Sequence, residues 1–192
     1  FRWMVDGCFL RGTVAMLSGD GGLGKSLLMQ QLCTAAALGK SWLGLATQKC
    51  RTFAMFCEDD EDELHRRQER INALYECDHG DLESSLYISR VGLDTPLAEI
   101  DRRTDNLRPT QHYEALLQSC REFGAQIVVL DTVADVFWGD EIRRGQVRKF
   151  VTLLRRLAVE IQGAVILTAH PSLSGMSSGT GLSGSTAWNN SV

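Results

Sequence analysis

The sequence predicts an α/β fold, with a mainly parallel central sheet and helices on both faces. Three stretches carry that expectation. The apolar run Thr13-Val14-Ala15-Met16-Leu17-Ser18 leads through a glycine-rich loop into residues 27–38, which are rich in helix formers and closed by Gly39. Residues 111–123 read as a helix ended by Gly124, followed by the buried-strand pattern Ile127-Val128-Val129-Leu130 and then Asp131. Val147, Phe150, Val151, Leu154, Leu157, Ala158 and Ile161 recur at steps of three and four, Gly163 stops that helix, and Ala164-Val165-Ile166-Leu167-Thr168-Ala169 returns to strand. Continuous apolar strands separated by helices are what a parallel sheet covered on both faces requires.

The loop between the first strand and helix is Gly19-Asp20-Gly21-Gly22-Leu23-Gly24-Lys25-Ser26, with Leu27 the first apolar residue of the helix. Its spacing of Gly, four residues, Gly, Lys and Ser is that of a phosphate-binding loop, and it lies in the required context of strand, loop and helix. Phosphate oxygens need several N–H donors converging on a small volume, which residues lacking a Cβ permit. The helix adds its positive N-terminal end, Lys25 a point charge at the terminal phosphates, and Ser26 a hydroxyl for Mg²⁺. A nucleotide site is therefore expected here.

Composition narrows the class. At 192 residues, 44% hydrophobic, 23% charged and a net charge of -4, the chain has the size of one domain and lacks the basic excess of a dedicated nucleic-acid binder. No apolar run approaches the ~18 residues of a membrane span, and the start lacks a signal peptide's apolar centre, so the cytoplasm is the expected location. Cys8, Cys33, Cys50, Cys57, Cys77 and Cys120 form no Cys-x-x-Cys pair and read as reduced, mostly packing residues. Cys77-Asp78-His79 reads as a solvated loop rather than a four-ligand metal site.

Taken in order, residues 1–11 lead into the first strand, with Trp3 and Phe9 read as packing residues before any role in stacking on a base. Arg51-Thr52-Phe53-Ala54-Met55-Phe56-Cys57 is a second buried strand that ends in acid. Asp60 is placed to cap the following helix, with Glu63 returning the bond. Glu58 precedes that cap and falls at the carboxyl end of its strand, the edge where open α/β sheets place ligands. Residues 76–110 show one strand, Leu86-Tyr87-Ile88-Ser89, and a polar stretch from Asp101 to Arg108 with no assigned role. Asp131 is expected to reach the phosphate loop and hold Mg²⁺. His170 is a candidate phosphate sensor, and the Gly- and Ser-rich residues 172–185 read as a loop.

These four features, Gly19 to Ser26, Glu58, Asp131 and His170, each after a strand, resemble the RecA-like branch of P-loop ATPases. Within it the chain is most similar to hexameric plasmid-replication helicases of the RepA type and their phage and prophage relatives. The likeness runs from Val5-Asp6-Gly7 to Gly184-Ser185-Thr186-Ala187-Trp188-Asn189-Asn190. It implies one RecA-like domain over residues 1–192, hydrolysing ATP with Mg²⁺. It also implies that Glu58 polarises the attacking water, that Asp131 serves the metal and that His170 couples phosphate state to a DNA-facing loop. No Asn-Lys-x-Asp motif reads a base here, so adenine comes from the resemblance.

The same likeness implies a homo-oligomeric ring with an arginine supplied by the neighbouring subunit. The strands that carry this arginine follow the Gly-Ser-Thr segment in that family, so the chain is expected to be truncated at its C-terminus. Single-stranded DNA is expected at Arg143, Arg144, Arg148 and Lys149, where cations track phosphates, and at Gly175 to Gly184, where backbone amides do. The sequence departs from these helicases at Ala169-His170-Pro171-Ser172, which lacks their second His and nearby Lys. The alternative is a nucleotide-switched regulatory or assembly ATPase that does not translocate. A small-molecule kinase would need lid arginines that the sequence does not place.

Overall fold

Two hydrophobic cores lie on opposite faces of one sheet, and the alternation of side chains along the strands builds both. The computed structural model describes residues 2–170 and Trp188. The chain opens with a small antiparallel pair, β1 (Trp3–Val5) and β2 (Phe9–Leu10), then enters β3 (Thr13–Ser18), α1 (Lys25–Leu38), β4 (Arg51–Phe56) and α2 (Glu61–Tyr75). A 3-10 turn (His79–Leu82) leads to β5 (Ser85–Ser89), β6 (Ala98–Asp101), β7 (Asn106–Pro109) and α3 (Gln111–Phe123). The remainder is β8 (Ala125–Asp131), α4 (Val133–Val136), β9 (Phe137–Trp138), α5 (Arg144–Glu160) and β10 (Ala164–Ala169).

The central sheet has the order β3-β10-β8-β4-β5, and every pairing in it is parallel. Along β8, Val128 and Leu130 point into one core with α3 and α5, while Ile127 and Val129 point into the other with α1 and α2. Strands covered on both faces have no solvated side, which is why β8 and β10 read as unbroken apolar runs. Helices thus lie on both faces, as the sequence predicts. Gly39 and Gly124 end α1 and α3 in the left-handed conformation, and their N–H groups close on carbonyls of the last turn.

Residues 76–110, which carry few sequence signals, hold three strands. β5 is an edge of the central sheet, and β6 and β7 pair antiparallel with β9 alongside β6. The polar stretch from Asp101 to Arg108 is the turn and second strand of that small sheet. Its charges sit on a solvated hairpin, so the alternation that marks a buried strand is weak. Phe9 packs on Trp42 at a ring separation of 5.9 Å and is buried, in keeping with its packing role. Trp188 is fully buried and meets Phe137 and Phe150 edge-on. Cys33, Cys50, Cys57 and Cys120 are buried, and burial pushes Cys57 up to about 11 and the other three up to about 12, as expected of packing thiols.

Candidate functional site

Strand register decides which residues meet. Ala169 pairs with Ser18, Leu167 with Leu130, and Phe56 with Asp131, so β3, β4, β8 and β10 end together at one edge. Two backbone bonds continue the pairing past the strands, Gly19 N–H to Ala169 C=O at 3.2 Å and Cys57 N–H to Asp131 C=O at 2.7 Å. Gly19, Glu58, Asp131 and His170 are thereby delivered to the same edge. At that edge lies a cleft of about 370 Å³ whose walls include Gly22, Gly24, Lys25, Ser26, Glu58, Asp131 and His170.

The glycine-rich loop wraps the start of α1. Gly22 and Gly24 have φ of 76° and 81°, a backbone conformation that calls for glycine, and a Cβ at either would meet no atom of the chain itself. Gly24 is also the N-cap of α1, which has no side-chain cap and no acid in its first turn. The unpaired N–H groups and the positive end of the helix therefore face the cleft without an internal anion. Lys25 Nζ donates to the carbonyls of Gly19 and Asp20 at 2.7 and 2.8 Å, folding the loop around the ammonium. Leu23 and Leu27 are exposed beside it.

Asp131 is 1% exposed at the end of β8. Burial pushes its carboxyl above the usual range, and the nearby hydroxyls of Ser26 and Thr168 pull it back. Thr168 donates to Oδ1, while Oδ2 is buried with no hydrogen-bond partner. A buried carboxylate oxygen left open beside a serine hydroxyl is an arrangement that fits a hard divalent cation such as Mg²⁺, which takes oxygen ligands and keeps several waters. Thr168 carries no motif signal, although it is the single hydroxyl in the strand Ala164–Ala169 and sits one step past the Leu167–Leu130 pair.

Glu58 and His170 meet across the cleft. His170 Nδ1 lies 3.5 Å from Lys25 Nζ, and Nε2 lies 3.7 Å from Glu58 Oε1. An ammonium only donates, so a hydrogen bond between Lys25 and His170 requires the tautomer in which Nδ1 accepts and Nε2 carries the proton, toward the carboxylate. The second separation is an electrostatic contact rather than a hydrogen bond. Both groups stay about half exposed. Beside Glu58, Asp59 grips Arg67 through two hydrogen bonds of 2.5 and 2.8 Å, and Arg67 Nε donates to Glu63 at 2.8 Å. This clamp fixes the chain on either side of the turn into α2. Only the Glu63–Arg67 spacing of four hints at it in the sequence.

The reciprocal cap expected at α2 forms by half. Asp60 accepts the Glu63 N–H at 2.7 Å, but the Glu63 carboxylate turns to Arg66 and Arg67, whose guanidinium groups are better partners than one exposed amide. The expected DNA-contacting cations sit at the start of α5, and two of them meet the β6–β7 hairpin. Arg143 pairs with Asp105, and Lys149 donates to Asn106 at 2.7 Å. Gly175 to Gly184 lie outside the described residues.

Parallel topology, a phosphate loop on the first long strand and acids at the ends of two others define a RecA-like P-loop NTPase fold. A family model for the AAA domain matches residues 1–176, and the chain belongs to that family of ATP-binding ATPases. Comparison with curated proteins gives no match. Among the described residues, no helix is long and apolar enough to cross a membrane.

Proposed function

We propose that the chain is an Mg²⁺-dependent ATPase motor domain of a RepA-type DNA helicase or replication ATPase, working in a homo-oligomeric ring. The observation that carries this reading is the convergence of Lys25, Ser26, Glu58, Asp131 and His170 on one cleft at one sheet edge. Residues 19–27 hold the phosphates through loop amides, the start of α1 and the Lys25 ammonium. Ser26 and Asp131 hold Mg²⁺, which supplies neutralisation of phosphate charge. Glu58, exposed at the rim and close to His170, orients water for in-line attack. His170 touches both Lys25 and Glu58, so it is placed to sense whether phosphate lies between them.

Single-stranded DNA remains the proposed track, with Arg148 as an exposed cation on α5 and the 175–184 segment as its second element. One observation favours the non-translocating alternative: Arg143 and Lys149 already have partners on the β6–β7 hairpin. The two readings share the ATP site and part at DNA. ATP hydrolysis measured on the parent and on Glu58→Gln, with and without single-stranded DNA, tests both. Glu58→Gln is expected to keep nucleotide binding and lose turnover, and a parental rate would remove Glu58 from its role. Stimulation by DNA supports the motor, whereas an unchanged rate supports the switch.

A further inference from the structure

Among the described residues, one group of metal-ligating side chains meets from two separate elements away from the phosphate site. His65 and Glu69 lie four residues apart on α2, and His79 opens the 3-10 turn that follows it. That turn is held by its own cap, with Asp78 accepting from Gly80 and Asp81, so His79 is delivered by ordered backbone. His79 Nε2 is 2.7 Å from Glu69 Oε1, and His65 Nε2 is 3.5 Å from the same oxygen. The two imidazole rings lie parallel, with centroids 5.0 Å apart and planes 3° apart. One ligand atom from each residue falls within 4.8 Å of the others.

We propose that His65, Glu69 and His79 bind a borderline divalent transition ion, with Zn²⁺ as its representative, and that the ion fastens the α2–β5 connection to α2. Tetrahedral zinc with bonds of ~2.0–2.1 Å places its donors roughly 3.3 Å apart. The His65–Glu69 separation of 3.5 Å already matches, the His79–Glu69 contact opens by about half an ångström, and at least one of the two parallel imidazoles turns so that both in-plane Nε2 lone pairs meet at the ion. Side chains that are 49% to 65% exposed can make that adjustment without moving backbone. Two imidazoles and one carboxylate favour a borderline ion over Mg²⁺, which prefers oxygen donors, so the site is chemically distinct from Asp131 and Ser26. His65 and His79 also edge a cleft of about 300 Å³ against β5, with Gln68 and Tyr87 in its wall, which leaves the fourth position open to water. The site does not depend on the reading of the ATP cleft.

Zn²⁺ titration by calorimetry tests this in a Cys8→Ser, Cys77→Ser background, which removes the two cysteines that are not buried. The titration is done at pH ~7.5 without nucleotide or Mg²⁺, since ligating imidazoles must be unprotonated. The expected result is one Zn²⁺ per chain with micromolar affinity and a raised melting temperature. His65→Ala and His79→Ala are each expected to weaken binding at least as much as loss of an outer-shell partner does, about 10- to 100-fold. His79→Cys is expected to restore binding and, with Co²⁺, to show a thiolate charge-transfer band that the parent lacks. Absence of saturable binding in the cysteine-substituted chain overturns the proposal. So does binding that survives in the His65→Ala/His79→Ala double variant, or a His79→Cys chain that binds Co²⁺ with no thiolate band.

Discussion

Helices α1 and α2 both leave the carboxyl edge of the sheet, from β3 and from β4, yet their first turns are built in opposite ways. α2 begins on an extended Asp60 whose carboxylate accepts an N–H, and Glu61, Asp62 and Glu63 sit in its positive end. α1 begins on a left-handed glycine with no side-chain cap, no acid in its first turn, and Lys25 in the position least favoured by the helix dipole. Local stability alone would make α1 look like α2. The departure is concentrated at the proposed phosphate site, where an anionic ligand would supply what the chain omits, and conflict between a local rule and the sequence is expected at functional sites.

The largest expected effect follows from Lys25. Lys25→Ala removes the one charged donor of the loop, and a hydrogen bond to a charged group contributes about 1.5–3 kcal/mol, or roughly 10- to 150-fold in affinity. Binding of a fluorescent ATP analogue should fall by at least that much, because loop geometry also rests on the ammonium's bonds to Gly19 and Asp20. Unchanged affinity would mean that the bare start of α1 is not the phosphate site. The same substitution logic applied to α2 should leave nucleotide affinity untouched.

Asp131 gives a smaller effect with two signs. Its carboxyl holds a proton more tightly in the folded chain than in the unfolded one, because burial outweighs the Thr168 and Ser26 hydroxyls. The unfolded state therefore loses that proton first as pH rises, and the linkage removes stability between the unfolded value and the raised folded value, leaving a deficit at neutral pH. Asp131→Asn should raise the melting temperature of the nucleotide-free chain at neutral pH, with the advantage vanishing in acid below both values. It should also abolish any stabilisation by Mg²⁺ with nucleotide. A lower melting temperature at pH 7 would show that the open Oδ2 is not a burden in the free chain.

Much of the site was legible because the chemistry lies in short patterns at strand ends. The loop from Gly19 to Ser26, Glu58, Asp131 and His170 all occupy the edge that the sequence assigns them, since apolar runs of known length end where polar residues begin. Thr168, Asp59 and Arg67 were not legible. Thr168 reaches Asp131 only because β10 lies between β3 and β8, a neighbour relation that no single segment contains. Asp59 and Arg67 meet around a helix start, where a run of six acids masks which one has a partner. The β6–β7–β9 sheet was missed for a related reason, since two- to four-residue strands on a solvated surface carry too little periodicity to read. Gly22 and Gly24 of the loop also meet a demand that the spacing does not announce, a positive φ at each.

The smallest expected effect belongs to the conventional helix. Asp60 is the one side chain that caps α2, because the Glu63 carboxylate is engaged by Arg66 and Arg67 and does not return to the cap. Asp60→Ala leaves the Glu63 N–H without its 2.7 Å acceptor. The turn is exposed, so water replaces part of the bond, and the loss should sit near the middle of the range for such caps, about 1 kcal/mol. For a chain of this size that is a fall of roughly 2–4 °C in melting temperature. Affinity for the ATP analogue should not change, since Asp60 acts on the dipole of α2 and the proposed phosphate site rests on that of α1. If Asp60→Ala weakens nucleotide binding by tenfold or more, the two helix starts are coupled. The Asp59–Arg67 clamp next to Glu58 is then the element that joins them, and Arg67→Ala should reproduce the loss.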